Sequence, residues 1–223
     1  MKTIKVLWTG GWDSTYRLVE LSRKAVEIQP VYIIDSGRKS RDIEISTMTK
    51  ITASLRERKE TLATIKDVEL FKIEDIPEDA EITRAFEKLS SEVRLGSQYE
   101  WIARLAKINP GLEIGIEKPS GEYSGCMTVI DRFGRLLKSD DSFVIDPDNS
   151  SKELLLVFGN LLYPICHISE VEMVQNIKSW GYEDIMKMIW FCHSPLKGEP
   201  CGFCRPCQQK MECNMEWLLP QKA

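Results

Sequence analysis

The chain has 223 residues, 43% hydrophobic and 29% charged, with a formal net charge of −4. That length and balance support one compact domain with a small appendage. The negative charge sets aside a general nucleic-acid binder, and no apolar run approaches the ~20 residues that span a bilayer.

The opening "MKTIKVLW" is too short and too early in the fold for a signal peptide, so a cytoplasmic chain with reduced thiols is expected. Residues 3–8 read as a buried strand and 14–27 as a helix with Tyr16, Leu18, Val19, Ala25 and Val26 inward. "PVYIID" (30–35) is a second strand, 41–58 a second helix and 68–73 a third strand. Residues 76–93 are polar and read as irregular or partly helical. A helix over 97–108 puts Trp101, Ile102, Leu105 and Ile108 on one face, Gly111 stops it, and "LEIGIE" (112–117) is a fourth strand. Residues 118–150, rich in Gly, Ser, Asp and Pro, read as a long functional loop or irregular insert. A helix near 150–159, a strand-like "LLYPI" and a helix over 169–180 follow, the last with a Ser169–Glu172 capping box and Gly181 at its end. A short helix leads into Cys192, and the tail from Arg205 to Leu219 reads as helical.

Alternation of this kind predicts an α/β fold with a parallel sheet covered by helices. Ligands on such sheets bind beyond the carboxyl ends of the strands. The loops Thr9–Ser14 and Asp35–Arg41 both lie at such ends, and Arg38, Lys39 and Arg41 form a local basic cluster there. In "KVLWTGGWDST" a strand runs into Gly10-Gly11 and then into a helix. Two glycines let the backbone approach a ligand, and the N–H groups of a starting helix favour an anion. Thr9, Ser14 and Thr15 add hydroxyls, and no Walker lysine is present. Asp13 either caps the loop or helps to hold Mg²⁺. An ordinary turn with an Asp cap fits the same residues.

Cys192, Cys201, Cys204 and Cys207 give C-x₈-C-x₂-C-x₂-C, the spacing of a closed four-thiolate zinc site. An iron–sulfur cluster or a redox pair fits the spacing less well. The organisation expected is a domain over 1–190 and a metal-binding segment over 191–223 packed on it. Cys126, Cys166 and Cys213 are left as small buried or partly buried side chains.

Thr9-Gly10-Gly11-Trp12-Asp13-Ser14 resembles the S-G-G-x-D-S loop of the PP-loop ATP pyrophosphatases. Within that superfamily, "CHSPLKGEPCGFCRPC" is similar to the C-x₅-G-x-x-C-G-x-C-x-x-C stretch of the 7-cyano-7-deazaguanine synthases, and Asp35, Gly37 and Arg41 match their D-x-G-x-x-x-R. The resemblance implies an adenine-nucleotide α-hydrolase-like fold, homodimeric, with ATP, Mg²⁺ and structural Zn²⁺. It implies adenylation of a small-molecule carboxylate, 7-carboxy-7-deazaguanine, whose reaction with ammonia gives 7-cyano-7-deazaguanine in queuosine precursor synthesis. Thr9, Gly10, Gly11, Asp13, Ser14 and Thr15 would hold the phosphates, Asp35 and Gly37 would lie near the adenosine, and Asp13, Ser14 and Arg41 would serve catalysis. Gly96-Ser97-Gln98 stands where the family has G-R-N, and Ser124-Gly125 keeps part of its substrate loop, so these five are the substrate-binding candidates. The family's acid–lysine pair is replaced by Ser169-Glu170, with His167 nearby. Similar proteins also occur in bacterial defence gene sets, which leaves open another carboxylate, a protein partner, or a nucleotide-binding module without catalysis.

Overall fold

The computed structural model describes residues 2–119, 125–192, 194–213 and 215–219. The elements run β1 (Thr3–Leu7), α1 (Trp12–Ser22), β2 (Glu27–Ile34), α2 (Arg41–Glu57), β3 (Thr64–Ile65), β4 (Glu69–Lys72), α3 (Ala80–Glu92), α4 (Gln98–Ile108) and β5 (Leu112–Ile114). Then come α5 (Cys126–Phe133), β6 (Leu136–Ser139), β7 (Ser142–Ile145), α6 (Lys152–Phe158), β8 (Leu161–Leu162), α7 (Glu170–Trp180), α8 (Glu183–Met186) and α9 (Arg205–Glu212).

The architecture is mixed α/β around a parallel sheet in the order β3-β2-β1-β5-β8, with β4 also paired to β2. Residues alternate between faces along each strand. Val6, Trp8, Ile28 and Tyr32 face a core shared with α1, α2, α7 and α8. Leu7, Val31 and Ile33 face the other core, with residues of α3, α4, α5 and α6. The chain leaves β1 for β2 on one side and returns to β5 on the other. The crevice between the β1 and β5 ends is therefore the switch point at which open parallel sheets bind ligands. No helix among the described residues is long and apolar enough to cross a membrane.

Several expected boundaries move. α1 ends at Ser22, and β2 starts at Glu27, not at residue 30. Pairing with β1 from Thr3↔Glu27 onwards draws polar Glu27 and Gln29 into the ladder, which an apolar pattern does not reveal. The outer neighbour of β2 breaks into β3 and β4 around Pro30, which has no N–H to donate. The Gln29 side-chain amide fills the gap, donating to the Pro30 and Asp67 carbonyls at 3.1 and 2.9 Å.

Residues 80–92 are a full helix, capped by Asp79, whose carboxylate accepts from the Glu81 and Ile82 N–H groups. The described part of 118–150 is no irregular loop. It holds α5, which buries Val129 and Ile130, and a β6–β7 hairpin. The hairpin turns on Asp140-Asp141 with Asp140 at φ 49°, a conformation aspartate tolerates in two-residue turns. The capping box of α7 and the left-handed Gly181 after it form as expected. In the tail, helix α9 stops at Glu212, and Glu216–Leu218 is a separate 3₁₀ turn. Met215 joins the core with Trp217 and Leu218 against it, so the cysteine segment shares the hydrophobic core of the sheet.

Candidate functional site

Between β1 and α1 the chain turns at Gly10, whose φ of +72° is one that side-chain-bearing residues rarely adopt. A Cβ there would lie 3.1 Å from Thr47 Cγ2, and the Gly10 carbonyl accepts from the Trp190 N–H at 2.9 Å. Gly11 is the N-cap of α1 and supplies no side-chain acceptor. The first-turn N–H groups of α1 are thus left for a ligand, at the positive end of the helix dipole.

These groups border a cavity of about 360 Å³ at the ends of β1, β2 and β5. Thr9, Asp13, Ser14, Asp35 and Arg38 form its polar side, and Leu7, Ile33, Trp101, Ile102 and Ile114 its apolar side. A second cavity of about 590 Å³ shares Asp13, Tyr99, Gly115 and Ile116 with the first. Arg94, Glu117, Arg205 and Gln209 give that second space its polar lining. One polar, glycine-floored space therefore adjoins a wider one across Asp13.

Of the residues singled out in the sequence, Thr9, Gly11, Asp13, Ser14 and Asp35 meet at the first cavity. Thr15 does not: it is buried and accepts from Trp8 Nε1 at 2.9 Å, a core contact. Gly37 shapes the second loop by donating its N–H to Asp35 Oδ1 at 2.9 Å. Arg41 is off both walls, its Nε on Asp42 Oδ1 at 2.9 Å, while Arg38 is on the first wall. Gln98 lines the first cavity and Gly125 the second, whereas Gly96 and Ser97 line neither. Ser124 lies outside the described residues. His167 packs against Phe143, with ring centroids 5.3 Å apart and the planes tilted by 40°. Cys126 borders the second cavity but is buried, and burial holds its thiol well above the usual range.

Sequence reasoning did not find the buried charges behind the glycine loop. Lys210 of α9 forms a buried ion pair with Glu170 at the start of α7 and lies 5.3 Å from the Trp12 ring centroid. Gln209 donates to Glu117 Oε1 at 3.1 Å and to Glu170 Oε2 at 3.3 Å. With one lysine among three carboxylates, negative charge is in excess. Burial, opposed by Lys210 and reinforced by Glu170, raises Asp13 to about 6. Burial and the charges of Asp13 and Glu170 raise Glu117 to about 8. Gly115 was missed too. A Cβ on it would come 2.8 Å from the Ser14 N, so only glycine lets β5 meet the first turn of α1. A glycine at a strand end, within "LEIGIE", was the available signal.

The four cysteines Cys192, Cys201, Cys204 and Cys207 come together with their Sγ atoms all within 4.8 Å of one another. Three of the separations are 3.9, 3.9 and 3.4 Å. A tetrahedron with Zn–S bonds of ~2.3 Å has edges of roughly 3.8 Å, so the set could hold an ion such as zinc. Backbone N–H groups of Ser194 and Cys201 point at Cys192 Sγ, at 3.4 and 3.2 Å, and that of Cys204 at Cys201 Sγ, at 3.3 Å. Such bonds stabilise thiolates. The cluster flanks the glycine loop, since Trp190 binds Gly10 just before Cys192, and Lys210 follows Cys207 by one helical turn.

No family model matches the chain, and no curated protein matches it.

Proposed function

We propose that the chain is a PP-loop ATP pyrophosphatase of the 7-cyano-7-deazaguanine synthase type, which adenylates a carboxylate and releases AMP and pyrophosphate. The observation that carries this reading is the pair of adjoining cavities at the switch point, with the glycine loop flooring the first and Asp13 between them. ATP fits the first, its phosphates on the amides of Gly11–Ser14 with the Thr9 and Ser14 hydroxyls, its adenosine against Ile33 and Ile114. The carboxylate substrate then takes the second, where Arg94 can meet its charge. Alignment of carboxylate oxygen and α-phosphorus is what such a site contributes, because adenylation creates the leaving group that ammonia displaces. Asp13 and Asp35 are the carboxylates of the first cavity's wall that would hold Mg²⁺, whose charge would neutralise the phosphates. Zinc on the four cysteines is structural and holds α9 to the core.

Zinc-loaded protein given ATP, Mg²⁺, 7-carboxy-7-deazaguanine and ammonia should release AMP in proportion to the carboxylate. No carboxylate-stimulated AMP overturns that substrate. A second reading, the same activation of another carboxylate or of a protein partner, is favoured by Gly96 and Ser97, which carry no cation and reach neither cavity. It predicts a mass change on a protein partner in intact-mass spectra. ATP binding with no AMP under any substrate would instead mark a nucleotide-binding module without catalysis.

A further inference from the structure

We infer that Arg38 is the guanidinium that meets the nucleotide's phosphates, and that Glu44 is the positioning residue that aims it. The inference rests on the nucleotide reading of the first cavity. Among the described residues lining that cavity Arg38 is the only cation, and the same wall carries the acids Asp13 and Asp35. A polyphosphate entering there needs a positive partner that is already in place.

The hydrogen bonds of Arg38 leave its outer end available. Its Nε donates to Glu44 Oε1 at 2.8 Å and lies 3.3 Å from Ser40 Oγ. Its two terminal nitrogens donate to no described residue. A guanidinium gripped by Nε alone presents a planar pair of N–H donors, the geometry that binds phosphate through two bonds. The neighbouring cations are placed differently: Lys39 is exposed and off the wall, and Arg41 is turned to Asp42.

Glu44 is 2% exposed, which is costly for a carboxylate unless its lone pairs are filled. They are filled by donors from three places. Oε2 accepts from Tyr32 Oη on β2 at 2.8 Å, while Oε1 accepts from Ser40 Oγ at 2.8 Å and from Arg38 Nε. Glu44 thus ties the strand end, the loop and the first turn of α2 to one guanidinium. Two backbone bonds, from the Arg38 N–H to the Asp35 carbonyl at 3.1 Å and from the Arg41 N–H to the Arg38 carbonyl at 3.2 Å, hold the loop itself. The loop therefore has its own closure, and the Glu44–Arg38 bond adds the direction of the side chain.

The test is calorimetric titration of zinc-loaded protein with ATP and, separately, with adenosine. Arg38→Ala should weaken ATP by about 10- to 100-fold, the range for a hydrogen bond to a charged group, and leave adenosine within about twofold. Arg38→Lys should restore only part of the loss, and Lys39→Ala should change neither ligand. Glu44→Gln should weaken ATP about fivefold, and in the Arg38→Ala background it should add nothing. Should Glu44→Gln fail to fold, Glu44→Asp, which keeps the charge and withdraws the carboxylate, is held to the same criterion. Unchanged ATP affinity in Arg38→Ala, or equal losses for ATP and adenosine, overturns the role of Arg38. An additive loss in the double variant overturns the positioning role of Glu44. If the unaltered protein binds neither ligand, the nucleotide reading itself falls.

Discussion

At Gly115 a Cβ would stand 2.8 Å from the Ser14 N and 3.0 Å from the Ser14 Cα, and both are backbone atoms with no room to yield. Gly115→Ala should therefore push β5 away from the first turn of α1. The expected cost is about 1–3 kcal/mol in denaturant unfolding, with a matching loss of ATP affinity. The cysteine cluster is tested residue by residue as well. Unaltered protein should carry about one zinc per chain in elemental analysis, and Cys204→Ser should lower that sharply. At this scale the sequence is informative where chemistry is local. Thr9–Ser14 and the four cysteines are read from short spacings, because residues a few positions apart cannot move far from one another. Thr15 and Arg41 stand off both cavity walls for the converse reason. Spacing does not say that one hydroxyl turns to Trp8 or that one guanidinium turns to Asp42.

Helix α9 carries Cys207 of the four-cysteine cluster and, one turn on, Lys210, so its placement links that cluster to the glycine loop. Lys210→Met leaves Glu170 as a buried carboxylate without its ammonium partner. We expect about 3–5 kcal/mol of destabilisation in denaturant unfolding, and recovery of most of it in the Glu170→Gln/Lys210→Met double variant. Equal loss in both would show that α9 depends on packing and not on the pair. Elements with strong apolar periods or caps, such as α7 with its capping box, are legible in sequence. The 118–150 region is not, because α5 has only two full turns and the hairpin turn is built from Asp140-Asp141 with no glycine. Turn composition there outweighs a short periodic signal.

Across the whole molecule, an excess of buried carboxylate around Asp13, Glu117 and Glu170 sets the response to pH. Glu117 titrates near 4.5 when unfolded and at about 8 in the fold, so the folded state holds the extra proton between those values. Stability from this group is full below 4.5 and is lost as pH rises through 8. Unfolding of zinc-loaded protein by urea should show that decline, and Glu117→Gln should flatten it; an unchanged slope contradicts the assignment. The alternation of strands and helices makes the parallel sheet legible in the sequence, whereas the strand order, and with it the switch point between β1 and β5, appears only in the fold. The charge cluster joins positions 13, 117, 170 and 210, and only folding brings them together. On the proposed function, the cavity floored by the glycine loop binds ATP across the ends of β1, β2 and β5. A crystal structure with Mg²⁺ and α,β-methylene-ATP, which resists cleavage at the bond in question, tests it most directly. The expected result is phosphates on the amides of Gly11–Ser14, adenosine against Ile33 and Ile114, and the α-phosphorus facing the second cavity past Asp13. A first cavity left empty at saturating nucleotide, or a nucleotide seated elsewhere, would contradict it.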